Sequence, residues 1–454
     1  MKKLILNLIL VTFVSSTLIS CDKDDDTTNP VTPTPASKNI VQLAQENGFN
    51  SLAAALTRAD LVSALQAEGN FTVFAPTDEA FAALLEAIGQ NSIDDIPVEV
   101  LKQVLLYHVV PAKVMSSEIT AGDVNTLEGS SISLDIMNGV SVNNIMVKAP
   151  FDVEASNGVI HAVDQVLVPA SVAQFVNTVL EPAYFNNNFS TLIAAALKAE
   201  LVETLLNTPN LSIFAPTNDA FTAAGINVSE TPKETLAAVL TYHVVGAKVM
   251  SADIPREAAT VNSNKLYFSV IESGAYINGN TMITAVDIES GSGVVHVIDQ
   301  VLLPPNGNIV ETAVSLSEQG EFTSLVAALS RTANEGSADQ NLINVLNGDG
   351  PFTVFAPTND AFQALLDSKD DWNTLSDIPL ETLVAVLTYH VVPARAYDKD
   401  LAGALQNGEL PTAAGKNIMI DLNNLTINTN STIIGVNTNA TNGVIHVIDN
   451  VLLP

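Results

Sequence analysis

The 454-residue sequence contains one cysteine, Cys21, one tryptophan, Trp372, and few basic residues. A lone cysteine excludes a disulfide framework and a structural zinc site of the multi-cysteine type. The chain carries 18 Lys and Arg against 49 Asp and Glu, a formal net charge of −31. Because this charge repels phosphate backbones, nucleic acid is not expected as a partner. We favour a role in solubility outside the cell over an acidic surface that collects cations, since no acidic cluster has ligand spacing.

Short motifs of common enzyme classes are also missing. The sequence has no G-x-S-x-G, H-E-x-x-H, G-x-x-x-x-G-K or G-x-G-x-x-G. Aromatic residues make up only 5%, which gives little support to sugar binding by stacking. Trp372 lies in a polar stretch, residues 369–374, where it is either a contact residue or a cover for its own domain's edge. We therefore predict a protein that is not an enzyme and that has no cofactor and no metal.

The first 20 residues predict a signal peptide. Lys2 and Lys3 precede an apolar run over residues 4–14, which is too short to span a bilayer comfortably. Residues 18–21 read Leu-Ile-Ser-Cys, which resembles the lipobox of bacterial lipoproteins, where the cysteine is lipidated and becomes the mature N-terminus. We therefore predict lipid attachment at Cys21 and a membrane anchor. The alternative is an ordinary secretory signal followed by a chance cysteine.

Residues 21–36 predict the lipidated cysteine and a disordered tether, because they carry charge, threonine and proline but no apolar periodicity. Lys23-Asp24-Asp25 resembles the short acidic signal that sends lipoproteins to the outer face of the outer membrane in Bacteroidetes. An acidic tether without an address is the alternative. The predicted location is exported and lipid-anchored, at the bacterial outer membrane or cell surface.

Three copies of one pattern follow the tether. Each copy contains Phe-Ala-Pro-Thr, then Tyr-His-Val-Val, then a Gly-Val-(Ile/Val)-His segment, always in this order and with a period near 140 residues. A period of this length is typical of a whole domain. The predicted domains are residues 37–170, 171–305 and 306–454. The six histidines of the chain all belong to the pattern, as His108, His161, His243, His296, His390 and His446.

Helical patterns lie in the first half of each copy and strand patterns in the second half. Phe81, Leu84, Leu85 and Ile88 have the spacing of one helix face, after a short strand that ends at Pro76. The second copy departs, since its helix is expected to break early at Gly225. We expect residues 159–168 to form a closing strand, and Asn157-Gly158 to form a tight hairpin turn, since both residue types tolerate positive φ. The fold class predicted from this order is α+β with a β-rich core.

These motifs resemble the fasciclin domain of the fasciclin I type. The first block of that family matches residues 72–81, 212–221 and 353–362, and its closing block matches residues 157–169, 292–304 and 442–454. The resemblance implies three tandem domains, each a small β-sandwich or wedge with packed helices. It also implies adhesion at the cell surface or in the extracellular matrix. The resemblance extends to an interaction or structural role of the Tyr-His pairs, which are Tyr107-His108, Tyr242-His243 and Tyr389-His390.

The histidines favour packing over chemistry. His108 shares an apolar helix face with Leu101, Val104 and Leu105, where a buried, hydrogen-bonded ring is the more common case. His161 lies three residues before Asp164 in a predicted strand, so the two side chains point to opposite faces. We therefore predict a lipoprotein that mediates adhesion or matrix interaction with an unknown protein or glycan partner. The alternatives are a structural component of the envelope or biofilm matrix and a module that binds a glycan or small ligand.

Overall fold

The computed structural model describes residues 38–454. The predicted signal peptide, the lipid attachment at Cys21 and the tether therefore lie outside the described residues. Within residues 38–454, no helix has both the length and the apolar character needed to cross a membrane.

Domain 1 begins with helices and ends with strands. Its elements are α1 (Ile40–Glu46), α2 (Asn50–Arg58), α3 (Val62–Gln66), β1 (Phe71–Pro76), α4 (Asp78–Ala87), α5 (Val98–Tyr107), β2 (Val109–Val110), β3 (Gly122–Asn125), β4 (Ser131–Asp135), β5 (Ser141–Val142), β6 (Ile145–Ala155) and β7 (Gly158–Val163).

Domain 2 repeats this order with a broken first helix. Its elements are α6 (Ala170–Ala173), α7 (Glu181–Tyr184), α8 (Ser190–Lys198), α9 (Val202–Asn207), β8 (Ser212–Pro216), α10 (Asn218–Ala223), α11 (Lys233–Tyr242), β9 (Val244–Val245), β10 (Glu257–Ala259), β11 (Lys265–Ile271), β12 (Gly274–Ile277), β13 (Thr281–Ser290) and β14 (Gly293–Ile298).

Domain 3 has a longer second helix and one additional helix. Its elements are α12 (Ile309–Glu318), α13 (Thr323–Glu335), α14 (Leu342–Leu346), β15 (Phe352–Pro357), α15 (Asn359–Asp367), α16 (Leu380–Tyr389), β16 (Val391–Val392), α17 (Asp398–Ala404), β17 (Glu409–Pro411), β18 (Asn417–Asp421), β19 (Thr426–Ile427), β20 (Ser431–Ala440) and β21 (Gly443–Ile448).

Each domain contains one ladder of seven strands. In domain 1 the order is β2-β1-β7-β6-β5-β4-β3, and the other two domains have the corresponding order. The first and last strands of the repeat, β1 and β7, pair in parallel, and the remaining pairs are antiparallel. The predicted α+β class with three tandem domains is confirmed.

The ladder separates two hydrophobic cores, because successive residues of a strand point to opposite faces. Val73 and Ala75 of β1 pack with the helices, whereas Phe74 packs with Tyr107, Ile132 and other residues of a second core. Phe74 and Ile132 belong to strands that are four positions apart in the ladder. The sheet must therefore curve around its second core.

Local signals explain the helices that follow the first strand. The Thr77 side chain caps α4 by accepting a hydrogen bond from the Ala80 amide at 3.2 Å. Phe81 and Ile88 are buried, and Leu84 and Leu85 are half-buried, on the predicted face. In domain 2, α10 ends at Ala223, and Gly225 follows with φ +66°. The predicted early break of this helix is confirmed.

One local prediction was wrong, and a second was right about the turn but not about its backbone conformation. The closing strand β7 ends at Val163 instead of continuing to residue 168, because the Leu167 amide turns away to donate to the His108 ring. A tight turn at Ser156 and Asn157 does connect β6 to β7, where Ala155 pairs with Gly158, but neither Asn157 nor Gly158 has positive φ. Gly158 is required there for a different reason, since a Cβ atom would lie 2.1 Å from the Phe71 carbonyl oxygen of the adjacent strand.

Candidate functional site

The histidine of each Tyr-His pair lies directly after a helix and joins it to the end of the domain. In domain 1, His108 follows α5, and its Nδ1–H donates to the Val104 carbonyl at 2.7 Å. Its Nε2 accepts from the Leu167 amide at 2.8 Å, across 59 residues of chain. An amide can only donate, so this partner identifies the neutral ring with the proton on Nδ1.

The same two bonds recur in the other domains. His243 contacts Val239 O at 2.8 Å and Leu302 N at 2.9 Å, and His390 contacts Val386 O at 2.7 Å and Leu452 N at 2.9 Å. The three rings are at most 2% exposed. Burial lowers the pKa of each to about 4, although the backbone carbonyl opposes this shift. These rings are neutral at pH 7 and offer no free nitrogen to a proton or a metal.

The tyrosines of the pairs are also engaged within their domains. The Tyr107 hydroxyl donates to the Ser131 carbonyl at 3.0 Å and accepts from Asn143 Nδ2 at 3.0 Å. Asn143 has φ 49°, a left-handed conformation that asparagine tolerates. Tyr242 with Asn278, and Tyr389 with Asn428, form the same arrangement. The tyrosines are 6%, 0% and 5% exposed in chain order, so the geometry favours the structural role over direct contact with a partner.

The histidine of the closing motif holds together the middle of the ladder. His161 is fully buried on β7, where its Nε2–H donates to the Val114 carbonyl at 3.0 Å and its Nδ1 faces the Asp152 amide at 3.3 Å. Asp164 does not contact it and instead forms an exposed ion pair with Lys148 at 3.2 Å. The predicted separation of His161 from Asp164 is therefore what the structure has, and it excludes an acid–base pair of these two groups. His296 has the corresponding bonds to Asp287 and Val249.

A serine and an aspartate also lie beside His161, but their connections are not those of a nucleophile and its base. Ser116 donates its hydroxyl hydrogen bond to Asp152 rather than to the histidine. Burial raises the pKa of Asp152, but the bonds from Ser116 outweigh it and leave the pKa below the ordinary value. Hydroxyl activation requires a base that can take the proton from the hydroxyl. Here the hydroxyl of Ser116 donates to the Asp152 carboxylate, which remains ionised. The same carboxylate accepts from the Ser116 amide and so caps the 3-10 turn Ser116–Glu118.

Domain 3 departs from this arrangement. Asp398 and Asn437 stand where domain 1 has Ser116 and Asp152, so the carboxylate has moved from the strand to the start of helix α17. Asn437 keeps the amide contact to His446, at 3.4 Å, and His446 Nε2–H donates to the Ala396 carbonyl at 2.9 Å. Burial lowers the pKa of His446, although the bond to the Ala396 carbonyl opposes this shift. All six histidines are therefore buried and bonded to the backbone through both ring nitrogens.

Two further positions of the motifs have structural roles that the sequence did not indicate to us. The residue after the capping threonine reaches a different helix, since Asp78 Oδ1 accepts from the Ser51 amide at 2.7 Å in the first turn of α2. Asn218 and Asn359 make the corresponding bond. Thr72 in β1 donates to the Ala112 carbonyl at 2.6 Å and accepts from the Val114 amide at 2.9 Å. The recurrence of Asp or Asn and of Thr or Ser at these positions was the only signal for them.

The remaining candidates do not form a reaction centre. Within residues 38–454, no three His, Cys, Asp or Glu side chains are grouped so that they could hold a metal ion. Trp372 is half-buried and packs against the helical core of its own domain. Exposed apolar side chains are scattered over helices, strands and turns of the three domains, and examples are Met137 (85%), Val270 (67%) and Ile434 (58%). Contacts with a partner, rather than chemistry, are what these surfaces can provide.

Comparison with known proteins identifies the repeated unit. A model of the fasciclin domain matches residues 47–169, 187–304 and 320–454. Transforming growth factor-beta-induced protein ig-h3 of Sus scrofa is 29% identical over 427 residues, which cover 92% of this chain and 58% of that protein. Periostin of Homo sapiens is 26% identical over 414 residues, which cover 90% of this chain and 46% of that protein. The chain thus spans about half the length of these two relatives.

One bacterial relative is similar over a single domain. Protein sll1483 of Synechocystis is 44% identical over 138 residues, which cover 30% of this chain and 76% of that protein. The identity is higher than for the two animal proteins, over one repeat rather than three.

Proposed function

The chain belongs to the fasciclin domain family, and from this premise we propose that it is a non-catalytic adhesion protein of the bacterial cell surface. In this proposal the three domains bind proteins or glycans of a matrix or of another cell. A lipid on Cys21 holds the chain at the outer membrane, and residues 22–36 carry the domains away from it.

One observation carries the non-catalytic part of the proposal. Each polar residue that recurs in the three motifs is bonded to its own domain, as His108 is to Val104 and Leu167. A general base or a nucleophile must have a lone pair directed at a substrate. The recurrent histidines have none left, so their repetition is explained by the fold, and function is left to the variable outer surfaces.

Three domains on one chain support adhesion through several weak contacts. When one domain is bound, the others are held near the same surface at a high effective concentration, which raises the overall affinity without any new contact. The acidic surface of the chain, with a net charge of −31, favours partners that carry positive charge or no charge. Outward apolar residues such as Met137 and Phe151 provide small contact areas.

Surface display is the first requirement to test. Intact cells that produce the chain are treated with a protease, and the protein is then quantified. We expect digestion of the wild-type protein at the surface, and release of the Cys21→Ala variant into the medium or periplasm because it lacks the acylated residue. Full protection in intact cells, with digestion only after lysis, would contradict the surface location.

Adhesion is tested with the same cells. Retention on immobilised matrix proteins and glycans is measured for cells with the wild-type chain, with Cys21→Ala, and without the gene. We expect retention only with the anchored wild-type protein. Equal retention of all three strains on every surface would sink the adhesion proposal while leaving the protease result unaffected.

A further inference from the structure

Domains 2 and 3 meet through polar side chains that fit one another. Asn437 Nδ2 donates to Asn280 Oδ1 at 2.7 Å, and Asn439 Nδ2 donates to the Tyr242 hydroxyl at 3.3 Å. The guanidinium carbon of Arg395 lies 4.0 Å from the centroid of the Tyr267 ring. These contacts are directional, so they constrain the angle between the two domains as well as the distance.

The turn between β12 and β13 of domain 2 approaches domain 3 so closely that a side chain would not fit. A Cβ atom on Gly279 would lie 2.5 Å from Asn437 Nδ2 and 2.8 Å from the Cβ atom of Tyr397. The neighbouring Asn278 is buried, whereas its counterparts Asn143 and Asn428 are half-buried. Domain 3 therefore covers a surface that is more open in the other two copies.

Comparison of the three copies shows what changed to allow this contact. Domain 1 has an exposed ion pair between Lys113 and Glu154 at 2.9 Å, and domain 2 has the same pair between Lys248 and Glu289. Arg395 and Asn439 occupy these two positions in domain 3. The third copy has thus replaced a self-contained ion pair by an arginine and a neutral amide, both directed at domain 2.

The replacement of lysine by arginine has a clear physical use. The Arg395 guanidinium donates in its plane to the carbonyl of Gly443 at 2.6 Å and to that of Ala440 at 3.1 Å, while Tyr267 lies over its face. A planar guanidinium can do both at once, whereas an ammonium group has no flat face to stack. Because Asn439 carries no charge, no carboxylate competes for the arginine.

A second residue of domain 3 also differs from its counterparts in domains 1 and 2 and lies at the contact with domain 2. Tyr397 stands where domains 1 and 2 have Met115 and Met250, which are half-buried. Tyr397 is 1% exposed, and its hydroxyl donates to Asn439 Oδ1 at 2.8 Å. Its ring centroid lies 6.2 Å from that of Tyr267.

Domain 2 has a matching change on its side. Tyr267 stands where domain 1 has Ser133 and domain 3 has Met419. The joint between domains 1 and 2 is built differently, since the helical cores of these two domains form one continuous hydrophobic cluster. Tyr267, Arg395 and Tyr397 are thus found at the joint between domains 2 and 3, where the three side chains contact one another.

We propose that Arg395, Tyr397, Asn437 and Asn439 form a docking surface that recognises the tyrosine-bearing face of the preceding domain and locks domains 2 and 3 into one rigid body. The docking surface also seals the Tyr242 hydroxyl, so that the Tyr-His region of domain 2 is closed to outside partners. This inference does not depend on what the protein binds.

The test measures distances between spin labels in the full chain with Cys21→Ser, by pulsed electron spin resonance. Cysteines introduced at the exposed positions Glu230 in domain 2 and Asp370 in domain 3 report on the proposed joint. A narrow distance distribution is expected for this chain. A broad one would show that the two domains move independently and would overturn the inference.

Two variants then test the docking surface itself. Arg395→Lys with Asn439→Glu restores the ion pair that domains 1 and 2 contain, so domain 3 is expected to fold. Tyr267→Ser places the domain 1 residue in domain 2 and leaves domain 3 untouched. Each is expected to broaden the distribution at least twofold. If circular dichroism shows that the double variant does not fold, the test rests on Tyr267→Ser alone. An unchanged width of the distance distribution for Tyr267→Ser would overturn the inference.

A matched control makes the reverse exchange in domain 1. Lys113→Arg with Glu154→Asn creates the domain 3 residues at a place where no domain docks. This control is expected to leave the width between Glu230 and Asp370 unchanged. Broadening by the control equal to that of the test variants would also overturn the inference, since the effect would then not come from the joint.

Discussion

Replacement of His108 by alanine should destabilise domain 1 strongly. The substitution removes the acceptor of the Leu167 amide and the donor to the Val104 carbonyl, and the ring is 1% exposed. A buried polar group left without its partner costs about 1–3 kcal/mol. Two such groups, with some relief from water entering the vacated space, amount to about 4 kcal/mol. This is a large part of the stability of about 5–15 kcal/mol of a typical domain.

Hydrogen exchange followed by mass spectrometry can assign this loss to one domain of the intact chain. A change of about 4 kcal/mol corresponds to exchange about a thousandfold faster for the slowest amides of α5 and β7. Peptides of domain 3 are an internal control, and their exchange should not change. Lys102→Ala, at an exposed position on the same helix, is the matched control and should shift stability by at most about 0.5 kcal/mol.

If His108→Ala leaves the exchange of α5 and β7 within the range of Lys102→Ala, the bond across 59 residues does not contribute to stability. The recurrent histidine would then need another explanation, and its burial alone would not account for it.

Three further predictions follow from other parts of the structure. The histidines of the three Tyr-His pairs have a pKa of about 4 in the folded chain against 6.5 for the free side chain, so their contribution to stability is complete above pH 6.5 and is lost as the pH falls toward 4. The free energy of unfolding of each domain, measured with urea, should fall by about 2 kcal/mol when the pH is lowered from 7 to 5. A urea midpoint that rises as the pH is lowered would contradict buried, neutral rings. Gly158→Ala should cost about 2 kcal/mol or more because Cβ would meet the Phe71 carbonyl, whereas Gly246→Ala, which has open space, should be nearly neutral in thermal unfolding. Asp78→Ala should cost about 1 kcal/mol by removing the cap of α2, and Asp78→Asn should retain most of it, since domains 2 and 3 use asparagine there; equal losses for both would rule out the capping role.

Much of the fold could be predicted because its signals are local. The apolar face that begins at Phe81 and the early end of α10 before Gly225 depend on residues within one helix. The repetition of three motifs set the number of domains, and their order set the class. Predictions failed where a distant group decided the outcome. Residues 164–168 have the composition of a strand, but Leu167 leaves the sheet because its amide has a buried partner in another element.

The candidate site was predictable in part. An apolar helix face indicated that His108 is buried, but the sequence did not show which groups meet its two nitrogens. Asp78 and Thr72 were not recognised, because their partners are 27 and 42 residues away at Ser51 and Val114. Ser116, Asp152 and His161 come from three separate segments of the chain, so only the folded ladder brings them together.

The sequence by itself determined that this protein contains three copies of one α+β domain, that the copies share their histidines, and that common catalytic motifs are missing. Periodicity and repetition carry this information because they are properties of neighbouring residues and of whole copies. Tertiary structure alone decided that the histidines are bonded through both nitrogens, and that domain 3 turns Arg395 toward Tyr267 where the other copies keep an ion pair. The physical reason is that these hydrogen bonds and stacked pairs join residues that are far apart in the sequence, and a local sequence pattern does not show which distant residues become neighbours in the fold.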